Sequence, residues 1–168
     1  MPGSREYPER PVVGVGGVVI ENGRALLIRR GGEPLKGQWS IPGGTLELAE
    51  TLHEGTIREL EEETGLRVRI LDLIEVFERI FHEPGHEPGH EPGHEPGQDP
   101  KRPRYHFVIM DYLCERISGE TRAGSDVTDV AWVAENDLGA YNLTPTATRV
   151  LKKAFAMSAR RNSSRPAH

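Results

Sequence analysis

Alternating apolar and polar stretches divide the chain into short strands and two helices. Apolar, β-branched residues fill 12–20, and a second apolar run covers 25–28. Asn22-Gly23 lies between these runs, and both residues tolerate positive φ, so the pair predicts a hairpin turn. By the same criteria, further strands are predicted at residues 38–41, 67–80, 105–114 and 127–133.

The strongest helical pattern covers residues 51–64. Thr51 and Glu54 have the spacing of a capping box, and Gly65 stands where a left-handed C-terminal cap is expected. The apolar periodicity predicts a buried stripe made of Ile57, Leu60 and Thr64.

A second amphipathic helix is predicted near the end of the chain. Thr144-Pro145 is typical of an N-cap followed by proline at the first helical position, and the apolar pattern ends near Arg160. Because strands and helices interleave without a regular βαβ period, the pattern favours an α/β fold with a mixed sheet flanked by helices.

The length of 168 residues is typical of a single domain. We expect that domain to cover residues 11–160, between a flexible arm at 1–10 and a disordered tail at 161–168. The net charge of −5 argues against binding along a nucleic acid backbone, and the apolar runs are too short to span a membrane. The single cysteine, Cys114, favours a reduced, cytoplasmic setting.

Residues 82–97 repeat the sequence HEPG four times. Histidines four residues apart would share one face of a helix and could hold a metal ion. However, each repeat contains proline and glycine, which oppose a helix, so we predict a solvated loop between two strands. Weak Ni²⁺ or Zn²⁺ binding by its imidazoles is the alternative.

Four of the five residues from 59 to 63 are glutamates. On a helix, Glu59, Glu62 and Glu63 share one face with about 5–6 Å between neighbouring side chains. At an effective dielectric constant near 20, each pair of like charges costs roughly 3 kcal/mol. Two interpretations follow: a fully hydrated acidic face, or a site for Mg²⁺ or Mn²⁺, which prefer clustered carboxylates.

The residues around the glutamates decide between these interpretations. From Gly44 to Leu66 the chain reads G-x5-E-x7-R-E-U-x-E-E-x-G-U, where U is aliphatic, and every fixed position is filled. This pattern resembles the Nudix box, the signature of the Nudix hydrolase family. Nine fixed positions over 23 residues make it a specific motif.

The resemblance implies a fold and an activity. Nudix enzymes are α/β/α sandwiches with a mixed β-sheet, and the box forms a loop–helix–loop catalytic motif. They use divalent cations to hydrolyse the pyrophosphate of a nucleoside diphosphate linked to another group, X. The resemblance therefore implies a small nucleotide substrate, Mg²⁺ (or Mn²⁺) as cofactor, and a nucleoside monophosphate and phosphoryl-X as products.

Motif positions also imply residue roles. Glu59 is expected to bind metal or to act as the base, and Arg58 is expected to orient a catalytic carboxylate. Some relatives carry a further acidic residue on an opposite loop, for which Asp126 is the first candidate and Asp129 the second; a turn-forming role is the alternative for both. The other expected metal ligands are Glu62, Glu63, Glu50 and the Gly43 carbonyl.

Three further residues are candidates for substrate binding. Arg29 and Arg30 end the second predicted strand and could hold phosphates, although only one of two neighbours on a strand can face the cleft. Trp39 could stack on a base or pack beneath the loop.

The sequence around the box resembles bacterial proteins named ADP-ribose pyrophosphatase. ADP-ribose or a nucleotide sugar is therefore the expected substrate, with MutT-like hydrolysis of a nucleoside triphosphate as the alternative. Some Nudix domains only sense nucleotides, but these commonly lack box glutamates, all of which are present here. Related ADP-ribose hydrolases are often homodimers, so the resemblance allows that state.

Overall fold

The computed structural model describes residues 5–82 and 102–165. The HEPG repeat, apart from His82, lies outside the described residues. The elements in chain order are β1 (Val12–Glu21), β2 (Arg24–Arg30), β3 (Trp39–Ser40), β4 (Gly43–Thr45), α1 (Leu52–Thr64), β5 (Arg67–Phe81), β6 (Tyr105–Ser118), β7 (Val127–Ala134), a 3₁₀ helix (Glu135–Tyr141) and α2 (Pro145–Ser163).

The strands of the described chain form one mixed sheet with two branches. β4, β1, β6 and β5 lie side by side in that order, and only the β1–β6 pair is parallel. β3, β2 and β7 form the other branch, which joins β1 through the hairpin at Asn22-Gly23. Both turn residues have positive φ, 49° and 71°, so the predicted hairpin is confirmed.

Helices cover both faces of this sheet. Val18 and Val19 are adjacent in β1 and therefore point to opposite faces. Val18 packs with Leu151 of α2, whereas Val19 packs with Leu60 of α1. The expected α/β sandwich with a mixed sheet is therefore confirmed.

Helix α1 has the predicted ends. Thr51 accepts a hydrogen bond from the Glu54 amide, Glu54 accepts one from the Thr51 amide, and Gly65 adopts φ 75°. Of the predicted stripe, Leu60 and Thr64 are fully buried and Ile57 is partly buried. Thr56 is also buried, because its hydroxyl donates to the Leu52 carbonyl within the helix and so leaves no polar group unpaired.

Some local expectations were wrong. The run Pro42-Gly43-Gly44 predicts a turn from its composition, but Gly43 and Gly44 form β4 and pair with β1. The 3₁₀ helix was not predicted, and α2 continues to Ser163, into the expected tail. No helix of the described residues is long and apolar enough to cross a membrane.

Part of the expected N-terminal arm contacts the domain. The Tyr7 amide donates to the Arg104 carbonyl, and the Tyr105 hydroxyl donates to the Glu6 carboxylate. These bonds place Arg5 at the rim of the cavity described below.

Candidate active site

A cavity of about 600 Å³ opens between the loop before α1 and the strands β1, β5 and β6. Acidic residues of α1 line one side, and residues of β5 and β6 line the other. Between them lie Arg30 and the backbone of the glycine-rich strands β1 and β4. The cavity therefore joins the motif residues to a wall that lies outside the motif.

The predicted acidic face of α1 is turned toward this cavity. Glu59, Glu62 and Glu63 all line it, whereas Glu61 does not. Only 13% of the Glu59 side chain is exposed, compared with 50% for Glu62. The three carboxylates are thus graded from buried to half-exposed rather than uniformly hydrated, which argues against the solvated-face interpretation.

Glu63 is held against strand β4. Its carboxylate accepts a 2.8 Å hydrogen bond from the Gly43 amide. Burial raises the pKa of Glu63 to about 8, with nearby Glu59 and Asp126 adding to the rise, while the Gly43 amide and Arg30 oppose it. The Glu63 carboxyl is therefore protonated more readily than an exposed glutamate, chiefly because burial disfavours its charged form.

Arg58 connects the carboxylates to one another. Its guanidinium donates to both Glu50 oxygens, at 2.7 and 3.0 Å, and to Glu59 at 2.8 Å. Nη1, which bonds Glu59, also donates to Glu62 at 3.3 Å, and Nη2, which bonds Glu50, also donates to the Thr45 carbonyl at 3.1 Å. The Arg58 hydrogen bonds lower the pKa of Glu50, whereas burial raises the pKa of Glu59 despite the same arginine.

Gly44 leaves room for Glu59. A Cβ atom on Gly44 would clash with the Glu59 carboxylate group. The first glycine of the motif, Gly44, therefore has a steric role: it allows this carboxylate to lie directly on the backbone of β4.

The donor set of this face suits a hard divalent cation. Carboxylates of Glu59, Glu62 and Glu63 face the cavity, and the Gly43 carbonyl points to the same side as its Glu63-bonded amide, as an extended strand requires. Within the described ranges no three acidic, histidine or cysteine side chains already stand at metal-binding distance from one another. The oxygen donors are therefore of the type that such an ion prefers, and two of the carboxylates, Glu59 and Glu62, accept hydrogen bonds from Arg58.

Of the two aspartates considered as a further metal ligand or base, the structure brings only Asp126 to the cavity. Asp126 lines the cavity, and its charge contributes to the raised pKa of Glu63. It precedes β7 with φ 58°, a conformation that aspartate tolerates better than most residues. Asp129 lies outside the cavity lining and accepts a hydrogen bond from the next amide, of Val130.

Of the two neighbouring arginines, Arg30 faces the cavity and Arg29 does not. Arg30 donates to the Pro34 carbonyl at 2.8 Å, and burial lowers its pKa while Glu63 opposes that effect. Arg29 is exposed and donates to the Gly37 carbonyl. Alternation along β2 explains the difference.

Trp39 is placed outside the cavity lining. Its ring packs edge-on against Tyr141, with 5.2 Å between ring centres, and it contacts the core on the α2 side. The structure therefore favours packing, the alternative to base stacking.

The opposite wall of the cavity was not predicted. Asp111 lies within the apolar β6 run, where the sequence pattern gave no reason to separate it from its neighbours. Its side chain is buried and lines the cavity, and burial raises its pKa to about 7. Arg79 and three phenylalanines share this wall: Phe77, Phe81 and Phe107.

Comparison with known proteins places the chain in a family. Residues 10–154 match the NUDIX domain. The chain is 31% identical over 128 residues, 76% of its length, to the ADP-ribose pyrophosphatase of Methanocaldococcus jannaschii; the match spans 64% of that protein, slightly less than two thirds. It is 32% identical over 140 residues to a MutT-like protein of Streptomyces ambofaciens, covering 83% of this chain and 74% of that protein.

Solved structures agree with these sequence matches. The crystal structure of a MutT NUDIX hydrolase from Burkholderia pseudomallei superposes with a TM-score of 0.69 and 29% identity. The superposition covers 86% of this chain and 98% of that one. The match of residues 10–154, together with the filled motif and the shared fold, shows that this chain belongs to the NUDIX family of hydrolases.

Proposed function

We propose that this protein hydrolyses the pyrophosphate bond of a nucleoside diphosphate linked to X, with Mg²⁺ or Mn²⁺ as cofactor. ADP-ribose or a related nucleotide sugar is the proposed substrate, and a nucleoside monophosphate and phosphoryl-X are the products. The observation that carries the proposal is the convergence of Glu59, Glu62 and Glu63 with Arg30 on one cavity. The name of the Methanocaldococcus relative, ADP-ribose pyrophosphatase, supports this substrate.

The acidic residues divide into two groups by their surroundings. Glu62 and Glu63, with the Gly43 carbonyl, form the proposed metal-binding group, to which Glu59 and Glu50 can add oxygens. When bound, a divalent cation shields the charge of the phosphates and lowers the pKa of a bound water. Glu50 accepts two hydrogen bonds from Arg58 and one from the Glu47 amide and lies outside the cavity lining, so we assign it a secondary place in this group.

Glu59 is the proposed base. Its side chain is mostly buried, and the raised pKa makes its carboxylate a stronger base toward the attacking water than an exposed glutamate. Arg58 fixes the orientation of its carboxylate at 2.8 Å, and Gly44 allows the close approach. Asp126, on the opposite loop, is the alternative base or an additional ligand.

Arg30 is the proposed phosphate-binding residue. Its guanidinium is held by the Pro34 carbonyl and lies near enough to Glu63 to influence its pKa. A cation in this position can hold the phosphate that remains on X or on the nucleoside while the bond breaks. Arg29 has no such position.

The test is a hydrolysis screen with Mg²⁺ and with Mn²⁺. ADP-ribose, nucleotide sugars, dinucleotides and nucleoside triphosphates are each supplied, and the products are identified by mass spectrometry. The proposal expects AMP and ribose 5-phosphate from ADP-ribose. Preferred cleavage of a triphosphate to a monophosphate and pyrophosphate would instead support a MutT-like function, the name given to the Streptomyces relative.

A matched pair of variants separates catalysis from binding. Glu59→Gln removes the proposed base, whereas Glu61→Gln changes a glutamate of the same helix that does not line the cavity. The first variant should lose about 100- to 10,000-fold in kcat and the second should keep it. Wild-type protein that binds these nucleotides but cleaves none would mark the chain as a nucleotide sensor.

A further inference from the structure

The wall of the cavity opposite the glutamates contains one buried acidic group that the proposed catalysis does not use. Asp111 is 4% exposed and lines the cavity. None of the hydrogen bonds among the described residues involves its carboxylate. Its oxygens are not sealed in the core but open onto the cavity, where they can accept hydrogen bonds from a ligand.

Asp111 lies in a single row with the catalytic motif. Gly43 of β4 pairs with Gly16 of β1, and Gly16 pairs with Asp111 of β6. Adjacent strands are about 4.8 Å apart, so the Cα atoms of Gly43 and Asp111 are roughly 10 Å apart. A phosphate held beside Glu63, which bonds the Gly43 amide, thus has its attached sugar within reach of Asp111.

Strand β1, which lies between the two positions, has glycines here, which carry no side chains. A Cβ on Gly16 would clash with the Asp111 carboxylate, and a Cβ on Gly14 would come within 3.2 Å of Ile109. Both glycines therefore let a β6 side chain lie directly over the β1 backbone, Asp111 over Gly16 and Ile109 over Gly14, and this surface lines the cavity. Its apolar part, formed by Ile109 and the paired Phe77, suits the C–H face of a sugar ring.

The chemistry of Asp111 selects among the parts of a nucleotide. Above its pKa of about 7 the Asp111 carboxylate is ionised and has two acceptor oxygens and no donor, so it matches two adjacent hydroxyls; the binding test below is therefore run above that pH. The adenine edge presents a donor next to an acceptor, which a carboxylate cannot satisfy. The Arg79 guanidinium lies over the Phe81 ring and makes no hydrogen bond to Asp111 among the described residues, although its charge lowers the pKa of Asp111.

We propose that Asp111 is a specificity-determining residue that accepts hydrogen bonds from the vicinal hydroxyls of a substrate ribose. The inference rests on the proposed function, since it assumes that a phosphorylated ribose lies beside the glutamate face. A carboxylate that accepts hydrogen bonds from both hydroxyls would make the enzyme prefer ribosyl over deoxyribosyl compounds.

The test uses ligands without a pyrophosphate bond, so that binding can be measured with Mg²⁺ present whether or not the protein is a hydrolase. Calorimetry compares ribose 5-phosphate with 2-deoxyribose 5-phosphate, and AMP with 2′-deoxy-AMP. The wild type should bind the ribo form about 10- to 100-fold more tightly in one of the two pairs. The pair that responds identifies the sugar, the terminal ribose or that of the nucleoside.

Variants assign the preference to the carboxylate. Asp111→Ala should abolish the ribo preference, and Asp111→Asn, which keeps one acceptor oxygen, should retain part of it. Asp72→Ala is the matched control, because Asp72 is exposed on β5 and bonds only the next amide, of Leu73. With ADP-ribose as substrate, Asp111→Ala should raise KM with kcat nearly unchanged.

Several outcomes would overturn the proposal. These are equal binding of ribo and deoxy forms by the wild type, no binding of any of the four ligands, or a ribo preference that survives in Asp111→Ala. Tighter binding of GMP than AMP, lost in Asp111→Ala, would show that the carboxylate reads a guanine edge instead. Failure of the proposed function is distinct: the ribo preference would be present while ADP-ribose and its relatives are not cleaved.

Discussion

The carboxylate of Glu63 and the backbone amide of Gly43 are 2.8 Å apart, and their hydrogen bond ties the last turn of α1 to strand β4. The bond restrains the acid at the point where burial has raised its pKa to about 8. A group that keeps its proton near neutral pH must lose it before it can bind a cation.

We therefore expect metal affinity to increase with pH. Below about pH 8, Mg²⁺ competes with a proton on Glu63, so the apparent association constant should rise up to tenfold per pH unit and level off above pH 8. Calorimetry in buffers of different ionisation enthalpy should detect close to one proton released per ion at pH 7. In Glu63→Gln, which has no proton to release, both the proton release and most of the affinity should be lost.

The bidentate contact of Arg58 with Glu50 should make lysine a poor replacement. Arg58→Lys keeps the charge but cannot donate to both Glu50 oxygens and to Glu59 at once. We expect kcat to fall about 10- to 100-fold, by analogy with groups that orient metal ligands. Arg67→Lys is the control, because the Arg67–Glu61 pair is 4.0 Å long and exposed; equal losses in both variants would contradict the positioning role.

Gly44 provides a steric test of the place of Glu59. In Gly44→Ala the new methyl group would occupy the volume of the Glu59 carboxylate, which Arg58 restrains from moving. We expect turnover to fall by at least about tenfold while the fold persists. Gly32→Ala, also at the cavity but with open space around its Cβ position, should behave as the wild type in steady-state kinetics.

The buried carboxylate of Asp111 should lower stability as pH rises. Its pKa is raised to about 7 in the folded protein, from 3.8, so the folded state keeps a proton that the unfolded state releases. Its contribution to the free energy of unfolding therefore decreases between about pH 4 and 7 and is constant above that. Asp111→Asn should raise Tm at pH 8 and leave it nearly unchanged at pH 4, as measured by thermal unfolding in EDTA.

The motif predicted which glutamates lie together on one face of α1, and these glutamates line the cavity. Helical periodicity placed Glu59, Glu62 and Glu63 on one face, and Thr51 and Gly65 marked the ends of that helix. These features depend on local spacing, which a sequence displays directly. Their roles as ligands and base stay predictions.

The other half of the site depends on strand register, which the sequence does not display. The place of Asp111 beside the motif follows from the parallel pairing of β6 with β1, which sets Asp111 opposite Gly16. The sequence likewise does not display which side of β2 faces the cavity. In the structure Arg30 lies on that side, whereas Arg29 lies on the other and bonds the Gly37 carbonyl. β4 was missed because its glycines read as a turn, although the absence of side chains is what lets β1 and Glu59 approach.

Phe81 and Tyr105 are paired at the ends of β5 and β6, on either side of the HEPG repeat. The Arg104 amide donates to the Phe81 carbonyl, so the segment between these strands leaves and returns at neighbouring points. The described residues on either side, Phe81 and Arg104, are joined by this bond and by the pairing of β5 with β6, so their positions do not depend on a fixed number of HEPG units. Copy number of this tandem unit can thus drift between lineages while the hydrolytic centre stays intact.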